Sequence, residues 1–334
     1  MSLLRDRGQW LLPLCLGQIL SLCITGTSVA SSALWTRYSI SIPYTQNFCT
    51  YLVLFVVHTL RFHRKNKKRS SHGNDLDDQE HEQQSRNNPW YFFGFSFADV
   101  QANILAVLAF KSTSVLSALI VSSWTLPCIM LLSTLCLGYR YQIGHFGGVV
   151  LCLLGLFMLI WADTMSDEAS TNNHSWIGDL ICLISATLYA ISNVTEEYLV
   201  NRCSTEEFLS RAGFWGSILS GIQALTFEHA EWLSIDWQWN AVGLILVYIV
   251  CLSSMYSLGP TLYRISNATF ISMSLITANF YSLLAGLLFL DAKMPPFYPL
   301  AYILVICGVT LYNLTTPPRT NHNEYQCIKN DSES

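Results

Sequence analysis

The sequence predicts an all-α polytopic membrane protein whose ten transmembrane helices form two inverted repeats of five helices. Composition is the first of three observations behind this prediction. Of the 334 residues, 51% are hydrophobic and only 12% are charged, about half the charged fraction of a soluble domain. Second, the apolar stretches are too long and too numerous for one globular core, since a bilayer span needs about 20 apolar residues. The third observation is an internal repeat.

The second half of the chain repeats the pattern of the first at an offset of 153 residues. This offset places Lys111 on Arg264 and Gly155 on Gly308. Each copy contains a cation, an apolar span of about 25 residues, a short polar break and a second apolar span that includes the glycine. Duplication inside a membrane protein is typical of transporters in which two repeats surround a central site.

Apolar runs separated by polar breaks predict the ten helices, and prolines such as Pro43, Pro89 and Pro260 mark several of the breaks. Their approximate limits are residues 10–31, 43–62, 89–110, 113–137, 143–162, 175–200, 207–227, 239–258, 265–290 and 295–315. The predicted domain plan is a cytosolic N-terminus (1–9), the first repeat (10–162), an exterior or lumenal linker (163–174), the second repeat (175–316) and a cytosolic tail (317–334).

Loop charges predict that both termini are cytosolic, because cytosolic loops are enriched in Lys and Arg. In that orientation only three of the 18 Lys and Arg residues, Arg37, Lys111 and Lys293, lie on the opposite side. The sequon at Asn173 then falls in the exterior linker, so we predict that Asn173 is glycosylated. Five helices per repeat also mean that the two repeats enter the bilayer in opposite directions.

Several function classes are excluded by pattern. A net charge of -4 offers no broad basic surface, so nucleic acid is not an expected partner. The chain has no ATP-binding GxxxxGK[ST] loop and no GxSxG or HExxH motif, so we expect neither an ATP-driven pump nor an enzyme. No regular metal-ligand spacing is present, and we predict no metal and no cofactor. The polar segment 63–88 is predicted to be a disordered cytosolic loop.

The third span places a carboxylate near the middle of the bilayer. Asp99 lies about 15 Å along the helix from Pro89, and Asn103, four residues later, shares its face. An ionisable residue at this depth is costly by a few kcal/mol or more and usually faces a cavity. We interpret Asp99 and Asn103 as substrate-binding residues. The alternative is a buried polar pair that fixes helix packing.

Further candidates for substrate binding lie in the second half. They are Asn193, Glu196 and Glu197 in the sixth span, Tyr256 in the eighth, and Asn279 and Tyr281 in the ninth. For the two glutamates a solvated helix end is an equal alternative. A cavity that combines aromatic rings, amides and a carboxylate suits a planar, polar heterocycle. Lys111 and Arg264, at corresponding turns, are candidates for gating or for contact with an anionic substrate. Snorkelling interfacial anchors are the alternative.

Ordered motifs along the chain resemble those of one known family. GQILSLCITGTSVAS (17–31), ADVQAN (98–103), LYAISNVTEEYLV (188–200), SGIQ (220–223) and TPPRT (316–320) resemble solute carrier family 35, subfamily F, of the drug/metabolite transporter superfamily. The resemblance spans about residues 10–320 and implies the drug/metabolite transporter fold with alternating access. It also implies a nucleobase- or nucleoside-like solute, because subfamily F is associated with such solutes. The larger family moves nucleotide sugars. Gln101 departs from the carboxylate expected there in close relatives.

We therefore predict a secondary-active transporter of a small polar solute that is nucleobase-, nucleoside- or nucleotide-sugar-like. The alternative is a non-transporting membrane receptor or scaffold that keeps the same fold. The expected partners are the small-molecule substrate and the lipid bilayer. The sequence does not decide between a monomer and a homodimer. The segment from Tyr325 fits a tyrosine-based sorting motif, which predicts a sorting adaptor and is compatible with the plasma membrane and Golgi-type endomembranes.

Overall fold

A computed structural model describes residues 2–70, 89–112, 121–166, 176–235, 238–289, 298–315 and 319–320. Within these ranges the protein is helical apart from short connections and one pair of two-residue strands. The Asn173 sequon, the Tyr325 motif, most of the predicted linker and most of the predicted tail lie outside the described residues.

Eleven helices and two strands occur in the described part of the chain. They are α1 (Ser2–Tyr38), α2 (Pro43–Ser70), α3 (Pro89–Ser112), α4 (Thr125–Leu137), β1 (Tyr139–Arg140), α5 (Ile143–Ser166), α6 (Trp176–Val200), α7 (Thr205–Phe227), α8 (His229–Ser234), α9 (Trp239–Ile265), α10 (Ala268–Phe289), α11 (Tyr298–Leu314) and β2 (Arg319–Thr320). All except the six-residue α8 correspond to the ten predicted spans.

Several predicted boundaries are wrong. The segment 63–70, predicted as the start of a disordered loop, continues α2 as helix to Ser70. Lys and Arg are good helix formers, and cations near a helix C-terminus interact favourably with the helix dipole. Residues 2–9 likewise extend α1, and residues 163–166, assigned to the linker, belong to α5.

The predicted helix over 113–137 is interrupted within the described residues. Residues 121–122 are helical, a turn follows at Ser123 and Trp124, and α4 starts at Thr125, while residues 113–120 lie outside the described part of the chain. Pro127 explains this start, because a proline is tolerated in the first turn of a helix but disrupts its interior.

Apolar helices with exposed apolar side chains make this an integral, multi-pass membrane protein. In the described residues, four segments are long and apolar enough to cross a membrane: Leu12–Tyr38, Pro89–Ala109, Ile177–Val200 and Trp239–Ile265. Shorter apolar helices cover Thr125–Leu137, Ile143–Met158 and Pro299–Leu314. Large apolar side chains such as Leu135 and Val250 are 71% and 63% exposed, which suits a surface solvated by lipid.

Specific helix pairs form the bundle. The most extensive contacts are between α2 and α7, between α5 and α11, between α3 and α6, and between α1 and α9. Helix α1 also packs on α10, and α4 packs on α6. The core between these helices is aromatic and aliphatic, with Phe92, Phe95, Phe208, Phe270 and Phe280 among its fully buried side chains.

The two strands mark one end of the bundle, which we call the β-ribbon end. Strand β1 follows α4 after Gly138, whose φ of 65° is in the left-handed region that favours glycine. It pairs antiparallel with β2, with Arg140 opposite Arg319. At the opposite end, Glu228 accepts hydrogen bonds from the backbone N–H groups of Tyr44 and Thr45, each at 2.7 Å, and so caps the start of α2.

Candidate functional site

Asp99 lies at the centre of a polar cluster inside the bundle. This α3 residue is only 6% exposed. Its Oδ2 atom accepts hydrogen bonds from the hydroxyls of Tyr51 on α2 and Tyr256 on α9, the latter at 2.5 Å. Its Oδ1 atom accepts one from the hydroxyl of Ser192 on α6, at 3.0 Å. Four helices therefore meet at one carboxylate.

The hydrogen bonds explain how the bilayer interior tolerates this carboxylate. An unpaired charge in such surroundings is very costly, and donors to the charged form offset that cost. All three contacts to Asp99 come from hydroxyl donors, an arrangement typical of an ionised carboxylate, which only accepts. The hydroxyls of Tyr51 and Tyr256 are also 3.2 Å apart, and their ring centroids are separated by 5.7 Å.

Two asparagines extend the cluster along α3 and α6. Asn103 donates through Nδ2 to the backbone carbonyl of Asp99 at 2.9 Å, and its Oδ1 accepts from the hydroxyl of Tyr189 at 2.7 Å. Asn193 Oδ1 accepts from the hydroxyl of Tyr263 at 2.9 Å. We call this group the central polar cluster. It consists of Tyr51, Asp99, Asn103, Tyr189, Ser192, Asn193, Tyr256 and Tyr263.

Glu196 brings a second acid to the same region. It is 7% exposed, lies one helical turn after Ser192, and is within electrostatic reach of Asp99. Its Oε1 atom is 3.4 Å from the position that a Cβ of Gly259 would occupy, so it lies against α9. Among the described residues, none of the side chains that hydrogen-bond within the central polar cluster belongs to Lys or Arg. The site is therefore acidic.

Glu197 lies apart from Glu196, at the β-ribbon end. Its Oε1 accepts from the hydroxyl of Tyr139 at 2.6 Å, and its Oε2 accepts from the backbone N–H of Ala268 at 2.9 Å. Glu197 thereby joins the C-terminal end of α6 to β1 and to the start of α10.

The predicted residues of the ninth span form another group, between α1, α10 and α11. The Tyr281 hydroxyl donates to Oε1 of Gln18 at 2.7 Å and is 3.3 Å from the hydroxyl of Tyr302. Thr277 also contacts the Gln18 oxygen, at 3.2 Å. Asn279 is half-buried on the same helix. The hydroxyl contacts of Tyr281 with Gln18 and Tyr302 belong to this group and not to the central polar cluster.

Of the two predicted gating cations, Arg264 lies away from the central polar cluster, and the side chain of Lys111 is not described. Arg264 is exposed near the C-terminal end of α9, where its guanidinium donates to the backbone carbonyl of Cys203 at 2.8 Å. The side chain of Lys111 is outside the described residues. Within the described residues, no contact joins either cation to Asp99.

Sequence reasoning missed several members of the central polar cluster, of which Tyr51 is the most important. A signal for it exists on α2, where Asn47, Tyr51 and His58 recur at spacings of four and seven residues and so share one face. Asn47 accepts from the hydroxyl of Tyr248 at 3.3 Å. Within the described residues, no group of three or more His, Cys, Asp or Glu side chains is arranged to hold a metal ion.

A family model for SLC35F, "Solute carrier family 35", matches residues 7–314. The chain belongs to solute carrier family 35. "Solute carrier family 35 member F2" of Mus musculus is 35% identical over 308 residues, which are 92% of this chain and 79% of the relative. The Xenopus tropicalis protein of the same name is 31% identical over 310 residues, covering 91% of this chain and 76% of the relative.

A more distant solute carrier and one solved structure complete the comparison. An uncharacterized solute carrier family 35 member of Schizosaccharomyces pombe is 31% identical over 317 residues, 93% of this chain and 59% of that protein. A crystal structure superposes with a TM-score of 0.65 at 16% identity, covering 90% of this chain and 97% of that one, which shows a shared fold. Membership of this solute carrier family supports a membrane transporter rather than an enzyme.

Proposed function

We propose that this solute carrier is a secondary-active transporter of a nucleobase- or nucleoside-like solute. The solute binds at the central polar cluster and crosses the membrane by alternating access. The observation that carries the proposal is the Asp99 carboxylate, buried in the bundle and held by hydroxyls from three other helices. Helices α2 and α3 belong to the first predicted half, and α6 and α9 belong to the second. A site shared by both halves can be exposed to each side in turn.

The chemistry of the cluster favours a planar, polar and uncharged ring. Tyrosine rings provide apolar faces for stacking, while amide and carboxylate groups read the donors and acceptors on the edge of a heterocycle. Nucleotide sugars fit less well, because their phosphates require cationic partners when they are desolvated. The Asp99 carboxylate would instead repel them.

Helix packing supports the proposal of two inverted repeats. If the two halves are equivalent, α1 corresponds to α6, α2 to α7, α3 to α9, α4 to α10 and α5 to α11. Under this exchange the α2–α7 and α5–α11 contacts map onto themselves. The α3–α6 contact maps onto α9–α1, and the α4–α6 contact maps onto α10–α1. The main contacts therefore follow a two-fold relation.

The α5–α11 interface supports this relation residue by residue. A Cβ added to Gly148 would lie 2.8 Å from the carbonyl oxygen of Gly308, and one added to Gly155 would lie 2.9 Å from that of Ala301. The sequence offset of 153 residues carries Gly148 to Ala301 and Gly155 to Gly308, so each contact maps onto the other. Cys152 and Val305 are equivalent positions, and the Sγ atom of Cys152 donates a hydrogen bond to the backbone carbonyl of Val305 at 3.5 Å.

The distribution of cations supports cytosolic termini. At the β-ribbon end, Arg140 and Arg319 face each other across the strand pair. Arg264 reaches the connection between α6 and α7, and Arg202 lies in that same connection. Cations cluster on the cytosolic side of membrane proteins. We therefore assign the β-ribbon end to the cytosol, in a plasma membrane or a Golgi-type endomembrane.

A thermal-shift screen of the purified protein tests the substrate class, because a ligand that binds the folded state raises the melting temperature. We expect adenosine, uridine or guanine to raise the Tm of the wild type, whereas UDP-glucose does not. The Asp99→Asn variant should lose this shift. Asp179→Asn, the same chemical change at the far end of α6, is the matched control and should keep it.

Two results of the screen would contradict the proposed substrate class. One is stabilisation by UDP-glucose without stabilisation by any nucleoside or nucleobase. The other is an equal shift in the wild type and in Asp99→Asn, because the ligand would then bind elsewhere.

A further inference from the structure

His58 is a buried histidine that the proposed substrate site does not use. It lies on α2, is 3% exposed, and its Nε2 atom is 3.1 Å from Oγ of Ser257 on α9. Its other ring nitrogen, Nδ1, is buried without a hydrogen-bond partner among the described residues. Buried polar atoms nearly always have a partner, so an orphan of this kind indicates an ordered water or a functional role.

The His58–Ser257 contact lies next to the helices that hold Asp99. On α2, His58 follows Tyr51 by seven residues, which is two helical turns and about 10 Å toward the β-ribbon end. On α9, Ser257 directly follows Tyr256. Both tyrosines that donate to Asp99 therefore belong to the helix pair that His58 bridges. His58 lies between them and the end that we assign to the cytosol.

The charged groups that face His58 come from its own helix and from α7. Arg61, exposed on α2, and Glu206, at the start of α7, both interact with it electrostatically. Helix α9 contributes the hydroxyl of Ser257. Close to His58, Thr59 and Ser210 connect α2 to α7 by a hydroxyl contact of 2.6 Å. Polar and charged groups of α2 and α7 therefore lie near His58.

We propose that His58 is the proton acceptor that couples transport to a pH gradient, an inference that rests on the proposed transport function. A proton on the Asp99 carboxyl group passes through tyrosine hydroxyls and water to Nδ1 of His58. The O–H bond at Asp99 breaks, an N–H bond forms at Nδ1, and the imidazolium then releases the proton to water at the β-ribbon end. The carboxylate left behind is the form that three hydroxyl donors hold in the structure.

Histidine suits this role for a chemical reason. It is the side chain whose ordinary pKa places its change of charge nearest to physiological pH. A histidine needed only for packing requires just the contact with Ser257, whereas proton acceptance also requires the tautomer in which Nε2–H donates to Ser257 and Nδ1 keeps its lone pair. A group that cannot titrate but can still hydrogen-bond to Ser257 separates the two roles.

The experiment compares two assays in sealed proteoliposomes that contain the full-length protein, with radiolabelled adenosine and uridine as probes. The first measures exchange of labelled for unlabelled nucleoside at equal pH on both sides, and the second measures accumulation driven by an imposed pH gradient. We expect the wild type to perform both. His58→Gln, whose amide can still contact Ser257, should keep exchange near the wild-type rate and lose gradient-driven accumulation.

The matched control is His145→Asn on α5. His145 is also buried with an unpartnered ring nitrogen, Nε2, but it lies at the β-ribbon end against Tyr312. Its Nδ1 accepts from the backbone N–H of Gln142 at 3.0 Å, a role that an asparagine oxygen can fill. We expect this variant to retain gradient-driven accumulation.

Three outcomes would overturn the role of His58. His58→Gln accumulates nucleoside under the gradient as the wild type does, or His145→Asn loses accumulation equally. In the third, wild-type exchange proceeds but the gradient drives no accumulation. This result needs no variant, so it decides the question even if His58→Gln does not fold, and it leaves the proposed transport function intact. A wild type that shows no exchange would instead contradict transport itself.

Discussion

Asp99→Asn should reduce nucleoside uptake by roughly 10- to 100-fold while the protein still folds and inserts. The substitution keeps the size of the side chain but removes the charge that accepts from Tyr51, Tyr256 and Ser192. In the proposed site the solute also contacts Asp99. A hydrogen bond to a charged group contributes about 1.5–3 kcal/mol, so losing one such bond to the solute corresponds to roughly a 10- to 100-fold loss of affinity. The measurement is the initial rate of labelled nucleoside uptake, divided by the amount of protein in the membrane.

Two further variants sharpen this result. Asp179→Asn makes the same change at the start of α6 and should transport normally. Asp99→Glu keeps the charge but displaces it by one methylene, so we expect an intermediate rate, because the three hydroxyls then meet a misplaced carboxylate. Wild-type rates in Asp99→Asn would remove Asp99 from the substrate site.

Gly308→Val should prevent stable assembly of the bundle. A Cβ at Gly308 would lie 2.7 Å from the carbonyl oxygen of Gly148 and 2.7 Å from Sγ of Cys152, closer than real Cβ atoms approach. The first of these neighbours is backbone, so relief requires α5 and α11 to separate. Overpacking a core costs about 1–3 kcal/mol and more where backbone must move. We expect a clearly lower Tm and little folded protein on size-exclusion chromatography.

Gly243→Val on α9 is the control, because it introduces the same valine into a helix where the side chain meets no close neighbour. A Cβ at Gly243 has no atom within 4 Å. Gly155→Val, at the repeat-related position of Gly308, should be as damaging as Gly308→Val, because its added Cβ would lie 2.9 Å from the carbonyl oxygen of Ala301. If Gly308→Val melts at the same temperature as Gly243→Val, the close α5–α11 packing is not present in the folded protein.

Much of the helix plan is readable from the sequence because a bilayer imposes long apolar runs and polar breaks. Each of the ten predicted spans overlaps a helix of the described residues, although several ends differ. The errors have a common origin. The cations at 63–70 are too polar for lipid, and hydropathy therefore ended the span there, but their propensity lets α2 continue beyond it to Ser70. Hydropathy finds where the bilayer ends, and the helix does not have to end with it.

The central polar cluster can be predicted only in part from the sequence, because the position of a residue along its span does not reveal which neighbouring helix that residue faces. The four-residue spacing predicts that Asp99 and Asn103 share a face, and a hydrogen bond joins them. Tyr256 donates to Asp99, and Asn193 accepts from Tyr263. Tyr281, predicted for the same site, instead contacts Gln18 on α1. Such partners depend on tertiary packing.

The repeat itself explains why one half does not predict the site of the other. The 153-residue offset places Asp99 on Leu252, so the first half carries the carboxylate and the second half carries an apolar residue. The scaffold contacts between α5 and α11 follow the offset, since they need only small residues. The proposed substrate site is therefore asymmetric, as the binding of a single asymmetric solute requires.

Solute counterflow in sealed proteoliposomes tests the central claim most directly. Vesicles that contain the wild-type protein are loaded with unlabelled adenosine and diluted into labelled adenosine at equal pH and without any ion gradient. We expect a transient accumulation of label above its external concentration, absent in Asp99→Asn and present in Asp179→Asn. A wild type that binds adenosine, as seen by its raised Tm, but never accumulates label would contradict transport and indicate a receptor or scaffold that keeps the transporter fold.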